Sequence, residues 1–216
     1  MNNKLPKVAL FDLDATLMKT NLELYYRCLH SWCIEHNIEV SLSSIRESCR
    51  NAKDFSIIPD DLKNKFIYED FSSLPLEDIY LIEEIKGVAS LLKKLSCNGI
   101  PVAIVTARPE SSKEVWKALK NTSFLNFIDY IITRGVSLNY SNKKDTIQYA
   151  CAHFGFKPSD AFMVGDQPHD ISSALEVGVK QTFGVETGNV YREVLEKAGA
   201  SKVFADINGI KDYFGL

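Results

Sequence analysis

The sequence predicts an α/β protein with a doubly wound, mostly parallel sheet, helices on both faces and an inserted helical segment. Two observations predict this class. Short apolar runs alternate with amphipathic helical segments throughout the second half of the chain, which is typical of parallel sheets built from strand–helix–strand units. The first apolar run, residues 7–11, is instead followed by about 65 residues with helical spacing and no convincing strand.

The first half supplies one strand and the insertion. Residues 7–11 form a short apolar run that stops at two aspartates, which predicts a buried strand with polar groups at its carboxyl end. Amphipathic spacing predicts helices at residues 21–36, 45–49, 62–71 and 87–97. We therefore predict a core domain of residues 1–17 and 85–216 and a helical cap domain of residues 18–84, which would cover that carboxyl end.

The second half continues the alternation. Pro109 is well placed to begin a helix, and Gly155 and Gly178 are well placed to end two more. The predicted strands lie at residues 101–105, 127–133, 161–164, 181–185 and 202–205. The predicted helices lie at residues 109–120, 145–154, 171–177 and 190–197.

Composition excludes several classes of partner. Of the 216 residues, 25 are basic and 28 acidic, and the lysines are scattered, so the chain lacks the basic surface that nucleic acid requires. No apolar run approaches the roughly 18 residues of a membrane span, and residues 1–7 contain no apolar signal segment. The five cysteines form no CxxC pair, which suits reduced thiols, and we predict a cytoplasmic location.

Polar side chains follow several of the predicted strands. In an open α/β sheet the carboxyl ends of the strands meet at one crevice, so these separate stretches are expected to converge there. The candidates are Asp12, Asp14 and Thr16 after the first strand, Thr106 after the second, Lys143 and Lys144 before a helix, and Asp166 and Asp170 after the fourth.

Such a crevice is suited to phosphoryl chemistry. Asp12, Asp14 and Asp166 would repel one another unless a cation lay among them, and carboxylate oxygens suit Mg²⁺. A threonine hydroxyl and a lysine ammonium supply donors for the remaining oxygens of a tetrahedral dianion. One carboxylate could accept the phosphoryl group, and a second, two residues further on, could protonate the leaving oxygen and then activate water.

These residues resemble, in order and spacing, the four motifs of the haloacid dehalogenase-like phosphohydrolases. Residues 85–92, 183–188 and 198–200 resemble the phosphoglycolate-phosphatase-like branch, which has a Rossmann-like core and inserts a helical (C1-type) cap between its first and second motifs. The motifs read Phe11-Asp-Leu-Asp14-Ala-Thr16-Leu, Val105-Thr106-Ala-Arg, Lys143 with its following helix, and Val164-Gly-Asp166-Gln-Pro-His-Asp170.

The resemblance implies a role for each catalytic candidate. Asp12 would be the nucleophile and a Mg²⁺ ligand. Asp14 would be the general acid and base and would offer its backbone carbonyl to the metal. A second aspartate at this position is not needed by the haloalkanoate dehalogenases of the family, so Asp14 points to phosphoryl transfer.

The resemblance also implies supporting roles. Thr106 would bind the phosphoryl oxygens and a lysine would neutralise charge there. Asp166 would complete the metal site, Asp170 would support it, and Thr16 would brace the turn.

Three points stay open in the sequence. The family usually has glycine where this chain has Ala15, whose Cβ restricts the backbone. Lys143 and Lys144 both fit the family lysine, and counting back from Asp166 favours Lys143. Arg108 is equally suited to contacting a substrate and to capping the loop that follows it.

We therefore predict a Mg²⁺-dependent phosphatase, acting on a small phosphomonoester and existing as a monomer or homodimer. Two alternatives remain. A phosphotransferase or mutase would pass the phosphoryl group to a sugar hydroxyl, and a catalytically weak member would bind phosphate or another protein without turnover. His169 is interpreted as a solvated side chain, and the cap aromatics Tyr25, Tyr26, Trp32 and Phe66 as packing residues.

Overall fold

The computed structural model describes residues 5–71, 74–80, 83–134 and 142–216. Six parallel strands form one sheet in the order β3-β2-β1-β4-β5-β6. This confirms the predicted fold class, since the order is that of a doubly wound sheet. The strands are β1 (Val8–Phe11), β2 (Val102–Thr106), β3 (Tyr130–Thr133), β4 (Ala161–Gly165), β5 (Gln181–Val185) and β6 (Lys202–Phe204).

Helices flank the sheet and fill the insertion between β1 and β2. Within the described ranges, each helix is too short or too polar to cross a bilayer. The helices are α1 (Leu22–Glu35), α2 (Leu42–Arg50), α3 (Asp60–Lys65), α4 (Leu76–Ile79), α5 (Val88–Cys97), α6 (Ser112–Ala118), α7 (Lys143–His153), α8 (Pro168–Glu176), α9 (Arg192–Lys197) and α10 (Asn208–Phe214).

The core lies on the two faces of the sheet, as the alternation of side chains along a strand requires. Ala9 and Phe11 of β1 pack into the larger cluster with helices α5 and α10, whereas Val8 and Leu10 pack into the cluster beneath α7 and α8. All four side chains are fully buried. A strand buried on both faces must be apolar throughout, which explains the unbroken Val-Ala-Leu-Phe sequence of β1.

The insertion has a hydrophobic cluster of its own. Tyr26 and Trp32 of α1 pack with Ile45 of α2 and with Phe66, which begins a π-helical turn after α3. Tyr26, Trp32 and Phe66 are buried, and the Tyr25 hydroxyl donates a hydrogen bond to Asp54 at 3.0 Å. These aromatics therefore pack within the insertion, in agreement with the sequence interpretation.

The two connections between the insertion and the sheet lie side by side. The backbone N–H of Lys19 donates to the carbonyl of Glu83 at 2.7 Å, and that of Ile85 donates to the carbonyl of Leu17 at 2.9 Å. Further along, the hydroxyl of Tyr191 donates to Glu47 of α2 at 2.9 Å. The insertion is thus tied to the sheet at its two ends and again at the loop before α9.

Several predicted element bounds are wrong, each for a local reason. Helix α6 does not begin at Pro109, because Ser111 and Glu114 form a capping box that starts it at Ser112. Helix α7 begins at Lys143, two residues early, since Asn142 caps it. The predicted strand 127–133 begins only at Tyr130, after a 3₁₀ turn.

Two helices at the end of the chain also differ from the prediction. Helix α8 begins at Pro168 rather than residue 171, because proline suits the first helical turn and Asp170 accepts a hydrogen bond from the Gln167 backbone. Helix α10 was not predicted at all. Its side chains Ile210 and Phe214 are buried against the sheet, so tertiary packing forms this seven-residue helix.

Candidate active site

The crevice of interest lies where the strand order reverses, between β1 and β4. Asp12 directly follows β1 and Asp166 directly follows β4, and these strands are hydrogen-bonded neighbours. The backbone N–H of Asp12 donates to the carbonyl of Val164 at 2.9 Å. The carboxyl ends of adjacent parallel strands therefore bring together two acidic residues that are far apart in sequence.

Three buried carboxylates form a cluster at this point. Asp12, Asp166 and Asp170 each offer an oxygen, and these oxygens lie within 4.8 Å of one another. Counted over the whole residue, backbone included, their exposed fractions are 8%, 3% and 0%. Buried carboxylates at this separation repel one another strongly, and hard oxygen ligands so arranged could hold a divalent cation.

Lys143 supplies the positive charge that the structure gives this cluster. Its ammonium group donates to Asp12 and lies 2.7 Å from Oδ1 of Asp170. Burial alone would lower the pKa of Lys143, but the two carboxylates outweigh it and raise the pKa. Lys143 therefore stays protonated inside the site.

The structure also distinguishes the two candidate lysines. Lys144 lies on the outer face of α7, where its ammonium group is 2.7 Å from Glu176. Neighbouring residues on a helix point about 100° apart, so only one of them can face the crevice. Of the two candidates for the family lysine, Lys143 joins the cluster and Lys144 does not.

Asp166 is held by two side-chain donors. The Thr16 hydroxyl lies 3.3 Å from Oδ1 of Asp166, and the Gln167 amide donates to Oδ2 at 2.7 Å. Gly188 passes so close that a Cβ there would stand 2.0 Å from Asp166 Oδ2. The turn braced by Thr16 and the glycine at 188 together fix this carboxylate.

Asp170 lies in the first turn of α8. Its Oδ2 accepts from the backbone N–H of Gln167 at 3.0 Å, which closes the cap of that helix. A Cβ at Gly165 would stand 2.2 Å from the same oxygen, so only glycine leaves room for the carboxylate there. Asp170 thus caps a helix and pairs with Lys143 at the same time.

The carboxyl groups of the cluster have shifted pKa values. Burial, and next the charge of Asp170, raise the pKa of Asp166 to about 7. Burial likewise raises the pKa of Asp12, against the opposing effect of Lys143. Burial also acts on Asp170, but Lys143 and His169 outweigh it and lower the pKa. Burial and mutual repulsion therefore make the ionised forms of Asp12 and Asp166 unfavourable, and a bound cation would favour them.

The structure corrects the predicted grouping of Asp12, Asp14 and Asp166. The side chain of Asp14 does not join the cluster but forms a bidentate pair with Arg108, Nε to Oδ2 and Nη2 to Oδ1, both at 2.8 Å. The chain turns sharply after Leu13, whose carbonyl accepts from the N–H groups of Leu17 and Met18, and Arg108 from the turn after β2 meets Asp14 there. Sequence reasoning left Arg108 open and did not predict this pair.

Thr106 and Ala15 lie at the same end of the sheet as the acidic cluster. Thr106 is buried at the end of β2, and its hydroxyl accepts from the backbone N–H of Arg108 at 3.3 Å. Ala15 adopts a left-handed backbone with φ of 55°, where glycine is the usual residue. The Thr187 hydroxyl donates to the Ala15 carbonyl and so ties this turn to the loop after β5.

Three residues of the site have no role assigned from the sequence. Gln167, Thr187 and Gly188 lie within stretches that carry the family resemblance, and the structure shows that they hold the acidic residues or the turn. His169 lies 3.5 Å from Asp170 with its side chain 56% exposed, which agrees with a solvated histidine.

Comparison with known proteins supports the same family. The family model for haloacid dehalogenase-like hydrolases matches residues 9–184. The chain belongs to this family. A pyrophosphatase named PpaX from Bacillus pumilus is 31% identical over 191 residues, which cover 86% of this chain and 85% of that protein. The family and its phosphatase-named relatives support a phosphohydrolase.

Solved structures agree on the fold. A haloacid dehalogenase-like hydrolase from Streptococcus pneumoniae matches with a TM-score of 0.75 and 20% identity, covering 97% of this chain and 98% of that one. A protein described as a predicted phosphoglycolate phosphatase from Haemophilus somnus matches with a TM-score of 0.68 and 21% identity, covering 95% and 96%. At these identities the likeness shows the fold alone.

Proposed function

We propose that the protein is a Mg²⁺-dependent phosphatase that hydrolyses a small phosphomonoester through an aspartyl-phosphate intermediate on Asp12. The observation that carries the proposal is the buried contact of Asp12 with Lys143 beside Asp166 and Asp170, at the carboxyl ends of β1 and β4. A divalent cation would offset the negative charge of the three carboxylates that Lys143 leaves unbalanced.

The first step uses Asp12 and Asp14. A carboxylate oxygen of Asp12 attacks phosphorus, and the bond to the leaving-group oxygen breaks as that oxygen takes a proton from Asp14. Lys143 neutralises charge on Asp12 and on the phosphoryl oxygens, and the Thr106 hydroxyl donates to one of those oxygens. The intermediate is a phosphoryl group bonded to the side chain of Asp12.

The second step regenerates the enzyme. Asp14 takes a proton from water, whose oxygen attacks phosphorus, and the bond between phosphorus and Asp12 breaks to release orthophosphate. Asp12 returns to its carboxylate form in contact with Lys143. The two roles of Asp14, as acid and then as base, follow from the proton it loses in the first step.

The acidic residues fit a Mg²⁺ ion. The buried oxygens of Asp12 and Asp166 lie close together and suit a hard cation, and the backbone carbonyl of Asp14 would be the third protein ligand. Asp170, which pairs with Lys143, would support this set. When bound, Mg²⁺ supplies electrostatic stabilisation of the phosphoryl oxygens.

We also propose the domain division of the sequence, with residues 1–17 and 85–216 as the core and 18–84 as the cap. The paired connections at Leu17–Ile85 and Lys19–Glu83 support boundaries at these positions. A cap over the crevice would exclude water and select the substrate. A cytoplasmic location and a monomer or homodimer stay predictions.

The relatives add one candidate to the substrate class. Proteins similar to this chain are named pyrophosphatases, so pyrophosphate joins the small phosphomonoesters as a candidate. The phosphotransferase or mutase alternative requires an acceptor hydroxyl in place of water. The weak-binding alternative is favoured only by the strained backbone of Ala15.

The test is hydrolysis of p-nitrophenyl phosphate, pyrophosphate and phosphoglycolate with Mg²⁺ and with EDTA. Asp12→Asn should lose at least about 1000-fold in kcat/KM, as expected when a nucleophile is removed. Asp212→Asn, on the exposed face of α10, removes the same charge elsewhere and should match wild type. Activity that persists in Asp12→Asn or in EDTA would overturn the proposal, and transfer to an added sugar phosphate would favour the mutase.

A further inference from the structure

The Arg108 guanidinium is engaged by carboxylates on two of its edges. It forms the bidentate pair with Asp14 and donates from Nη1 to Glu110 Oε1 at 3.1 Å. The ring of Tyr80, which follows α4 of the insertion, lies 5.1 Å from the guanidinium carbon. The Arg108 side chain is 12% exposed. This arginine is therefore a partly enclosed cation between the crevice and the insertion.

The pair engages both carboxylate oxygens of Asp14. Each accepts from Arg108 at 2.8 Å, so a proton that Asp14 gives to a leaving group competes with the Arg108 N–H groups for the lone pairs of these oxygens. The proposed function requires that proton in its first step. Turnover is therefore faster when Arg108 exchanges Asp14 for another acceptor.

The position of Arg108 indicates which acceptor that is. Its guanidinium contacts Asp14, the proposed proton donor to the leaving-group oxygen, so the guanidinium lies on the leaving-group side of the crevice. The planar fork of an arginine fits a phosphate or a carboxylate equally well. Glu110 would keep hold of Nη1 while the other edge changes partner.

We propose that Arg108 is a specificity-determining residue that binds a second oxyanion on the leaving group and thereby releases Asp14. The inference rests on the proposed function. The substrates it selects carry a phosphate or a carboxylate close to the reacting phosphorus, as pyrophosphate and phosphoglycolate do. A phosphomonoester with an uncharged leaving group leaves Arg108 paired with Asp14.

The experiment compares kcat/KM for pyrophosphate, phosphoglycolate and p-nitrophenyl phosphate in wild type, Arg108→Met and Arg108→Lys. Arg108→Met should lower the value for the better anionic substrate by about 30-fold, the loss expected for a hydrogen bond to a charged group. The value for p-nitrophenyl phosphate should not fall and should rise if anything changes, because its leaving group offers no second oxyanion and Asp14 loses its competing partner. Arg108→Lys should restore part of the selectivity, since lysine keeps the charge without the fork.

The two anionic substrates distinguish a phosphate partner from a carboxylate partner. In Arg108→Met, a larger loss of kcat/KM for pyrophosphate indicates a phosphate partner, and a larger loss for phosphoglycolate indicates a carboxylate partner. An equal loss on all three substrates in a folded Arg108→Met protein would overturn the inference, as would unchanged selectivity. If circular dichroism shows that Arg108→Met is unfolded, unchanged selectivity in Arg108→Lys overturns it instead. Failure of the proposed function is separate, because it appears as activity that survives Asp12→Asn or EDTA.

Discussion

The Lys143 ammonium donates a hydrogen bond to the Asp12 carboxylate across 131 positions of sequence. Both side chains are almost fully buried, with exposed fractions of 4% and 11%. A buried ion pair costs desolvation energy, and removing one partner leaves the other charge uncompensated. The contact therefore ties the stability of the crevice to the charges that the proposed chemistry uses.

Replacing Lys143 should impair both activity and stability. We expect Lys143→Met to lower kcat/KM by about 100-fold or more, because a donor to the phosphoryl oxygens is lost. In EDTA the free energy of unfolding should fall by about 3 kcal/mol, since buried carboxylates lose their cation. Urea denaturation and steady-state kinetics measure the two effects.

Lys144→Met is the matched control for that variant. Lys144 contacts Glu176 at an exposed position, and such pairs contribute less than about 1 kcal/mol. Its activity and stability should therefore match wild type. Equal losses in the two variants would show that the lysine acts through the helix rather than through the crevice.

Mg²⁺ should stabilise the protein more at alkaline than at acidic pH. The pKa of Asp166 is raised to about 7, so without a cation the folded state binds a proton that the unfolded state has lost, and stability falls as pH rises towards that value. A cation competes with this proton, so Mg²⁺ should bind more tightly at pH values above the raised pKa. At about ten times its dissociation constant, Mg²⁺ should add about 1.4 kcal/mol.

The measurement is thermal unfolding with Mg²⁺ and with EDTA, at about pH 6 and about pH 8, on either side of the raised pKa. Asp166→Asn should remove the extra stabilisation by Mg²⁺ and should weaken the pH dependence in EDTA, because asparagine binds no proton while the raised pKa of Asp12 remains. A Mg²⁺ effect that is equal at both pH values, or that persists in Asp166→Asn, would contradict this account of the cluster.

Ala15→Gly tests whether the turn after β1 is strained. A left-handed backbone costs an L-residue roughly 1 to 2 kcal/mol, and glycine avoids that cost while losing more entropy on folding. We expect a net gain of about 0.5 kcal/mol in the free energy of unfolding. Ala174→Gly, in the buried interior of α8, should instead lose at least about 1 kcal/mol.

The same variant bears on the weak-binding alternative. If Ala15 leaves the site competent, kcat/KM should change by less than about 3-fold in Ala15→Gly. A gain of about 100-fold would mean that the alanine holds the natural protein in a nearly inactive form. Steady-state assay with p-nitrophenyl phosphate decides between the two.

Much of the fold followed from sequence because strand and helix patterns are local. The apolar run of β1 and the aspartate after β4 were enough to predict that Asp12 and Asp166 meet, since the carboxyl ends of parallel strands share one edge. Helix α6 was misplaced although its capping box, Ser111 and Glu114, is readable. Pro109 precedes that box by two residues and lies outside the helix.

What could not be predicted depends on contacts between distant loops. The pairing of Asp14 with Arg108 spans 94 positions and joins two turns whose geometry no local pattern specifies. The choice between Lys143 and Lys144 depended on the exact phase of α7, which Asn142 sets by capping the helix two residues earlier than expected. Helix α10 forms by packing rather than by its own propensity.

Trapping the intermediate tests the central claim most directly. Asp14→Asn, which slows the attack of water, is mixed with Mg²⁺ and p-nitrophenyl phosphate, whose nitrophenolate leaves without a proton from Asp14. The mixture is quenched in acid and reduced with borohydride, and the peptides are analysed by mass spectrometry. Borohydride reduces an aspartyl phosphate to homoserine. We therefore expect homoserine at position 12 only in samples that contained substrate. Turnover without any homoserine at position 12, or homoserine at another aspartate, would contradict it.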